Sequence, residues 1–176
     1  MTHYRRAFVP GATYFFTVNL ADRQATLLVD HIDLLRDAVR YTRKRHPFDI
    51  DAMVVLPDHL HAVWTLPPGD ADFPLRWRLI KTWFSRHLPH GEHRRASHVD
   101  KSERGIWQRR YWEHVIRDET DLARHVDYIH GNPVKHGHVV RVRDWPYSTF
   151  HRFARNGILS EDWGSAGENA SFGERR

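Results

Sequence analysis

The chain has 176 residues, 40% of them hydrophobic, enough for one domain with a proper core. It has no cysteine, which excludes disulfides, thiolate zinc sites and cysteine nucleophiles, and no uncharged apolar run reaches the roughly 18 residues of a membrane span. The formal charge of +5 comes from Lys and Arg clustered at 5–6, 40–45, 76–86, 94–95, 109–110 and 141–143, interleaved with seven Trp and six Tyr, a pattern suited to an anionic polymer whose bases stack on aromatic faces.

Residues 12–20, rich in aromatic and β-branched side chains after Pro10-Gly11, read as a first strand. Ile32, Leu35, Val39 and Thr42 recur at helical spacing over 30–45, with Asp30 as the expected N-cap. Residues 48–56 and 59–66 form two strands joined by a tight turn at Pro57-Asp58. After Pro67-Pro68-Gly69, residues 75–88 are predicted as a helix, and 89–105, polar and aperiodic, as an exposed loop. Residues 106–117 look strand-like, and 118–130 form a helix capped by Asp118 and stopped by Gly131 and Pro133. The order predicts an α+β fold, a ferredoxin-like βαββαβ antiparallel sheet with helices on one face, followed by a C-terminal helix, that of 118–130. The expected division is a domain over 1–155 and a flexible tail over 156–176.

His59 and His61 flank Leu60 inside a predicted strand, so their imidazoles point to one face while Leu60 and Ala62 point to the other. Two such rings on a rigid element suit a metal clamp if a third ligand comes from elsewhere, although a solvated strand in a chain with fifteen histidines would show the same spacing. Tyr128 and Asn132 are four apart, so a helix stacks a phenol and an amide on one side.

Taken together, the stretches His59-Leu60-His61 and Tyr128-Ile-His-Gly-Asn-Pro-Val-Lys-His-Gly137 resemble the HUH single-strand endonucleases with one tyrosine, and more closely the REP-associated tyrosine transposases of the IS200/IS605-like kind. Ile106-Trp-Gln-Arg-Arg-Tyr-Trp-Glu-His and Asp144-Trp-Pro-Tyr-Ser-Thr-Phe are similar to the same family, so the resemblance runs from Tyr4 to about Phe153. It implies a ferredoxin-like fold and a metal-dependent enzyme that recognises hairpin-forming, REP-like DNA, cuts single strands and rejoins them through a 5′-phosphotyrosine on Tyr128. It further implies a divalent ion held by His59, His61 and Asn132, a donor set whose chemistry suits Mg²⁺ or Mn²⁺; Glu113 and His114 on the preceding strand compete for the third position, and His125, one turn upstream of Tyr128, is a candidate base. Arg76, Arg78, Lys81, Arg94, Arg95, Arg109 and Arg110, with Lys101 in the loop, are the expected DNA contacts. The expected setting is cytoplasmic, nucleoid-associated when bound to DNA, as monomer or homodimer. A domesticated relative that grips hairpins without cutting them is the alternative.

Overall fold

The structure is a computed structural model that describes residues 7–89 and 104–164. Its elements are β1 (Thr13–Asn19), a single turn α1 (Leu27–Asp30), α2 (Ile32–Arg45), β2 (Asp49–Val55), β3 (His59–Thr65), α3 (Phe73–His87), β4 (Trp112–Val115), α4 (Glu119–Lys135), a 3-10 turn (Val142–Asp144) and α5 (Phe150–Arg155). The four strands lie in the order β2-β3-β1-β4, and each neighbouring pair is antiparallel. This is the split βαβ arrangement expected of the sequence.

Strand periodicity gives the sheet two faces. Tyr14, Phe16 and Val18 of β1 pair with Trp64, Ala62 and Leu60 of β3, and all six are fully buried beneath α2 and α3. Trp64 stacks on Trp77 of α3 with ring centres 4.0 Å apart, which clamps that helix onto the sheet. Phe15 and Val63 face the other way, with Ile129 of α4 packed against them. Among the described residues no helix is long and apolar enough to cross a membrane.

Four local readings change. Asp30 does not cap the long helix: its carboxylate accepts from the Thr26 hydroxyl within the preceding turn, and α2 starts at Ile32. The helix after the prolines begins at Phe73, because Asp72 accepts from the Leu75 amide at 3.0 Å and Pro74 tolerates the first turn. Of residues 106–117 only Trp112–Val115 joins the sheet, while Trp107 makes a lone bridge to Leu20.

The fourth change matters most for the site. α4 does not stop at 130 but runs through Gly131 and Pro133 to Lys135. Proline removes one N–H and crowds one carbonyl, a defect that a late turn tolerates when the helix side is packed, and Pro133 is itself buried. The helix ends instead at Gly137, whose φ of +72° supplies the left-handed residue of the stop, with the His138 amide donating to the Pro133 carbonyl at 2.9 Å.

The sequence beyond α4 covers the outer edge of β2. The Val55 amide donates to the Tyr147 carbonyl at 2.9 Å, the Thr149 amide to the Met53 carbonyl at 2.8 Å, and the Trp145 indole to the Val55 carbonyl at 2.9 Å. An edge that would otherwise pair with other chains is thereby occupied. Further on, Trp163 lies against the rings of His130 and Phe150.

Candidate active site

On β3, His59 and His61 share the α4-facing side of the sheet, opposite Asn19 and Thr17 of β1. Both are buried, at 4% and 1% exposure. The His59 Nδ1–H donates to Asp58 Oδ1 at 2.7 Å, and Arg23 donates to the other Asp58 oxygen at 2.8 Å. His61 Nδ1 is hydrogen-bonded to the Thr17 hydroxyl at 2.8 Å. Each ring is thus oriented through Nδ1, which leaves Nε2 as the atom for any further partner. Burial lowers the affinity of His59 for a proton against the opposing pull of Asp58. Burial, reinforced by the neighbouring His59 and His136, holds His61 well below the ordinary histidine range. The pair therefore presents neutral imidazoles, the form that binds metal.

α4 brings the second half of the site against this strand. The Tyr128 ring meets the His61 ring edge-on, with centres 5.0 Å apart, and the Phe15 ring at 5.9 Å. One turn further on, Asn132 is fully buried, and neither its amide oxygen nor its amide nitrogen has a hydrogen-bond partner among the described residues. The same is true of His61 Nε2. Buried polar atoms are nearly always satisfied, so orphans on facing elements call for a ligand. Two neutral imidazoles and an amide oxygen fit a divalent ion that also takes oxygens from its substrate.

The competitors separate by geometry. Glu113 pairs with Phe16 and therefore faces the opposite side of the sheet from the histidines. His114 is on the correct side, but its Nε2 lies 2.8 Å from Asp121 Oδ2. His125 donates from Nδ1 to the Asp121 carbonyl at 2.8 Å and stacks on His114 with centres 4.9 Å apart. Ligand atoms of His114, Asp121 and His125 lie within 4.8 Å of one another, yet the Asp121 carboxylate also accepts from the Arg117 amide at 3.0 Å and the Arg117 side chain at 3.3 Å. Burial alone would raise the Asp121 pKa. Hydrogen bonds from His114 and Arg117 outweigh that and bring it down to about 2. The cluster ties β4 to the first turn of the tyrosine helix. His130 faces away from the site, hydrogen-bonded to the Thr149 hydroxyl at 3.0 Å.

Two residues of the site were missed in the motif reading. His136 sets its ring 5.3 Å from that of His59, and Lys135 holds its Nζ 4.9 Å from the centre of the Tyr128 ring. They follow Tyr128 by eight and seven positions, the spacing of one helix side, a signal available once the helix is carried through Pro133.

No family model matches the chain. A REP-associated tyrosine transposase of Escherichia coli is 46% identical over 175 residues, covering 99% of this chain and 98% of that one. A Haemophilus influenzae protein that bears the same description provisionally is 48% identical over 165 residues, covering 93% of this chain and 94% of its own. The chain belongs to the REP-associated tyrosine transposases. A solved structure described as a REP-associated tyrosine transposase bound to a REP hairpin is 45% identical, superposes with a TM-score of 0.82, and covers 100% of this chain and 99% of that one.

Not every basic residue expected to face DNA in this transposase does so. Arg76 is buried at 1% exposure and donates to both Asp70 oxygens, at 3.1 and 2.6 Å, and to the carbonyls of Asp72, Pro47 and His46. Its guanidinium is spent on joining α3 to the end of α2, so it is withdrawn from the phosphate-contacting set. Lys81 donates to the Gln108 carbonyl at 2.8 Å beside Trp107 and Tyr111. Arg78, Arg109 and Arg110 are exposed, and a groove of about 590 Å³ between α3 and residues 104–111 is lined by Arg78, Lys81, Arg86, Arg104 and Arg109. Arg94, Arg95 and Lys101 lie outside the described residues.

Proposed function

We propose that this transposase binds hairpin DNA of the REP type and cuts and rejoins single strands through a 5′-phosphotyrosine on Tyr128, with Mg²⁺ or Mn²⁺ held by His59, His61 and Asn132. The observation that carries the reading is the meeting of the Tyr128 ring with the His61 ring at 5.0 Å, beside a buried Asn132 whose amide has no partner among the described residues. A hairpin partner is supported by the relative of known structure, which is described as bound to a REP hairpin.

In the proposed reaction the Tyr128 oxygen attacks phosphorus. The Oη–P bond forms as the P–O3′ bond breaks, the phenolic proton passes to water, and the departing 3′-oxygen takes a proton from water. The DNA 5′ end stays on the enzyme as a phosphodiester, so a 3′-hydroxyl can reverse the step without an energy source. A divalent ion held by His59, His61 and Asn132 would supply charge neutralisation at the reacting phosphate. His59 and His61 offer Nε2 in rings oriented by Asp58 and Thr17, and Phe15 keeps the nucleophile ring upright against His61. A site of two imidazoles and one amide is weak for such ions, so the metal is expected to enter with the DNA. Arg78 and Arg109, which line the groove with Lys81 in its wall, and the exposed Arg110 are the proposed phosphate contacts.

The test is incubation of a labelled single-stranded hairpin oligonucleotide with the protein and Mn²⁺ or Mg²⁺, followed by a denaturing gel. A metal-dependent, 5′-linked adduct present with the native protein and absent with Tyr128→Phe is expected. Hairpin binding without an adduct on any oligonucleotide would overturn the covalent reading in favour of a non-catalytic binder.

A further inference from the structure

A phosphoryl group in transit to Tyr128 needs positive charge on more than the sheet side, and α4 carries such a charge. Lys135 stands two turns beyond Tyr128 on the same helix side, with its Nζ 4.9 Å from the ring centre. It reaches that position because the helix continues through Pro133 and closes at Gly137. A helix ending at 130 would leave the residue in an unconstrained turn.

Resting on the covalent reading above, we propose that Lys135 is a catalytic residue of strand cleavage, its ammonium holding a non-bridging oxygen of the phosphoryl group that passes between the DNA and Tyr128. The hold on the ring is suited to this. Lys135 is exposed, and its Nζ lies over the face of the ring whose oxygen must meet the phosphorus, where an arriving phosphate comes within its reach. A charge-assisted hydrogen bond to phosphate is roughly twice as strong as a neutral one. The phosphorus must come within bonding distance of the Tyr128 oxygen, at the rim of the ring that Lys135 overlies, and the four-carbon stem spans from the ring face to its edge. His61 touches the ring from the sheet and Lys135 from the following turns of the helix, so the two approach the nucleophile from different elements. During the transfer the phosphoryl group keeps one negative charge, so the same contact serves cleavage and rejoining.

A lysine in the last turn also complements the helix dipole, a role that would appear in stability and not in the rate of the bound complex. Lys135→Met keeps the apolar stem and removes the charge, whereas Lys135→Arg keeps the charge. Single-turnover cleavage of a hairpin oligonucleotide in Mn²⁺, at saturating DNA, is measured for all three proteins alongside hairpin affinity. Lys135→Met is expected to slow cleavage roughly 10- to 100-fold, with affinity within about twofold of the native protein and Lys135→Arg recovering most of the rate. Cleavage by Lys135→Met at the native rate, a defect confined to affinity, or an equal slowing in both variants would overturn the assignment while leaving the Tyr128 adduct intact. Failure of the native protein to form an adduct would remove the covalent reading and this inference with it.

Discussion

The two faces of one sheet obey opposite rules. Towards α2 and α3, β1 and β3 present Tyr14, Phe16, Val18, Leu60, Ala62 and Trp64, fully buried in an aromatic core. Towards α4 the same strands present Thr17, His59 and His61; both histidines are buried, and His61 Nε2 has no hydrogen-bond partner among the described residues. Strand alternation places the two sets within a few ångströms of each other, so the packed face rigidifies the strand whose other face carries the proposed site. Unsatisfied groups are tolerable on such a support because the strand cannot relax to bury them elsewhere.

This contrast can be broken from either side. The largest effect is expected at the reactive face: Tyr128→Phe should lower adduct formation at least about a thousandfold because the nucleophile is gone, and His59→Ala should abolish cutting while hairpin affinity persists. A His59→Ala protein that cuts normally would show the metal assignment to be wrong. On the packed face, Trp64→Ala should cost about 3–5 kcal/mol in urea unfolding, through lost contacts and the cavity beside Trp77. Native-like stability in that variant would mean that the core is looser than its burial implies.

Arg76 tests a polar group on the structural side. Arg76→Ala should remove about 3 kcal/mol of stability by leaving Asp70 and three carbonyls without their donor, and the protein that remains folded should bind hairpin DNA as the native protein does. A selective loss of DNA affinity would return Arg76 to the interface. Asp121 offers a pH test. Its carboxylate titrates at about 2 when folded, against 3.8 for the ordinary group, so its contribution is complete above about pH 4 and lost as pH falls towards 2. The shift corresponds to about 2 kcal/mol, and Asp121→Asn should flatten the acid limb of stability over that interval. The smallest effect belongs to Arg78→Ala, expected to weaken hairpin affinity a few-fold, less so at high salt, without changing cleavage of bound DNA.

Much of this organisation is readable along the chain. Alternation in 59–65 places the histidines together and Leu60 and Ala62 opposite, and the element order predicts the sheet that is observed. The four-residue interval between Tyr128 and Asn132 by itself identifies a shared helix side. Reading failed where local signals compete with packing. Pro133 and Gly131 argue for a stop, yet buried packing carries the helix on to Lys135, and with it Lys135 and His136 into the site. Arg76 failed for a related reason: on a helix wheel it is one more cation beside Arg78, and its burial depends on Asp70 and the carbonyls of Pro47 and His46, which no periodicity of α3 records.

The sequence by itself determined the strand and helix periods, and so which side chains travel together: the two histidines, and the tyrosine with its asparagine. Only the tertiary structure decided which of these sets meet and which charges remain available, because burial and hydrogen bonding between distant segments, unlike periodicity, are not properties of any one stretch of chain.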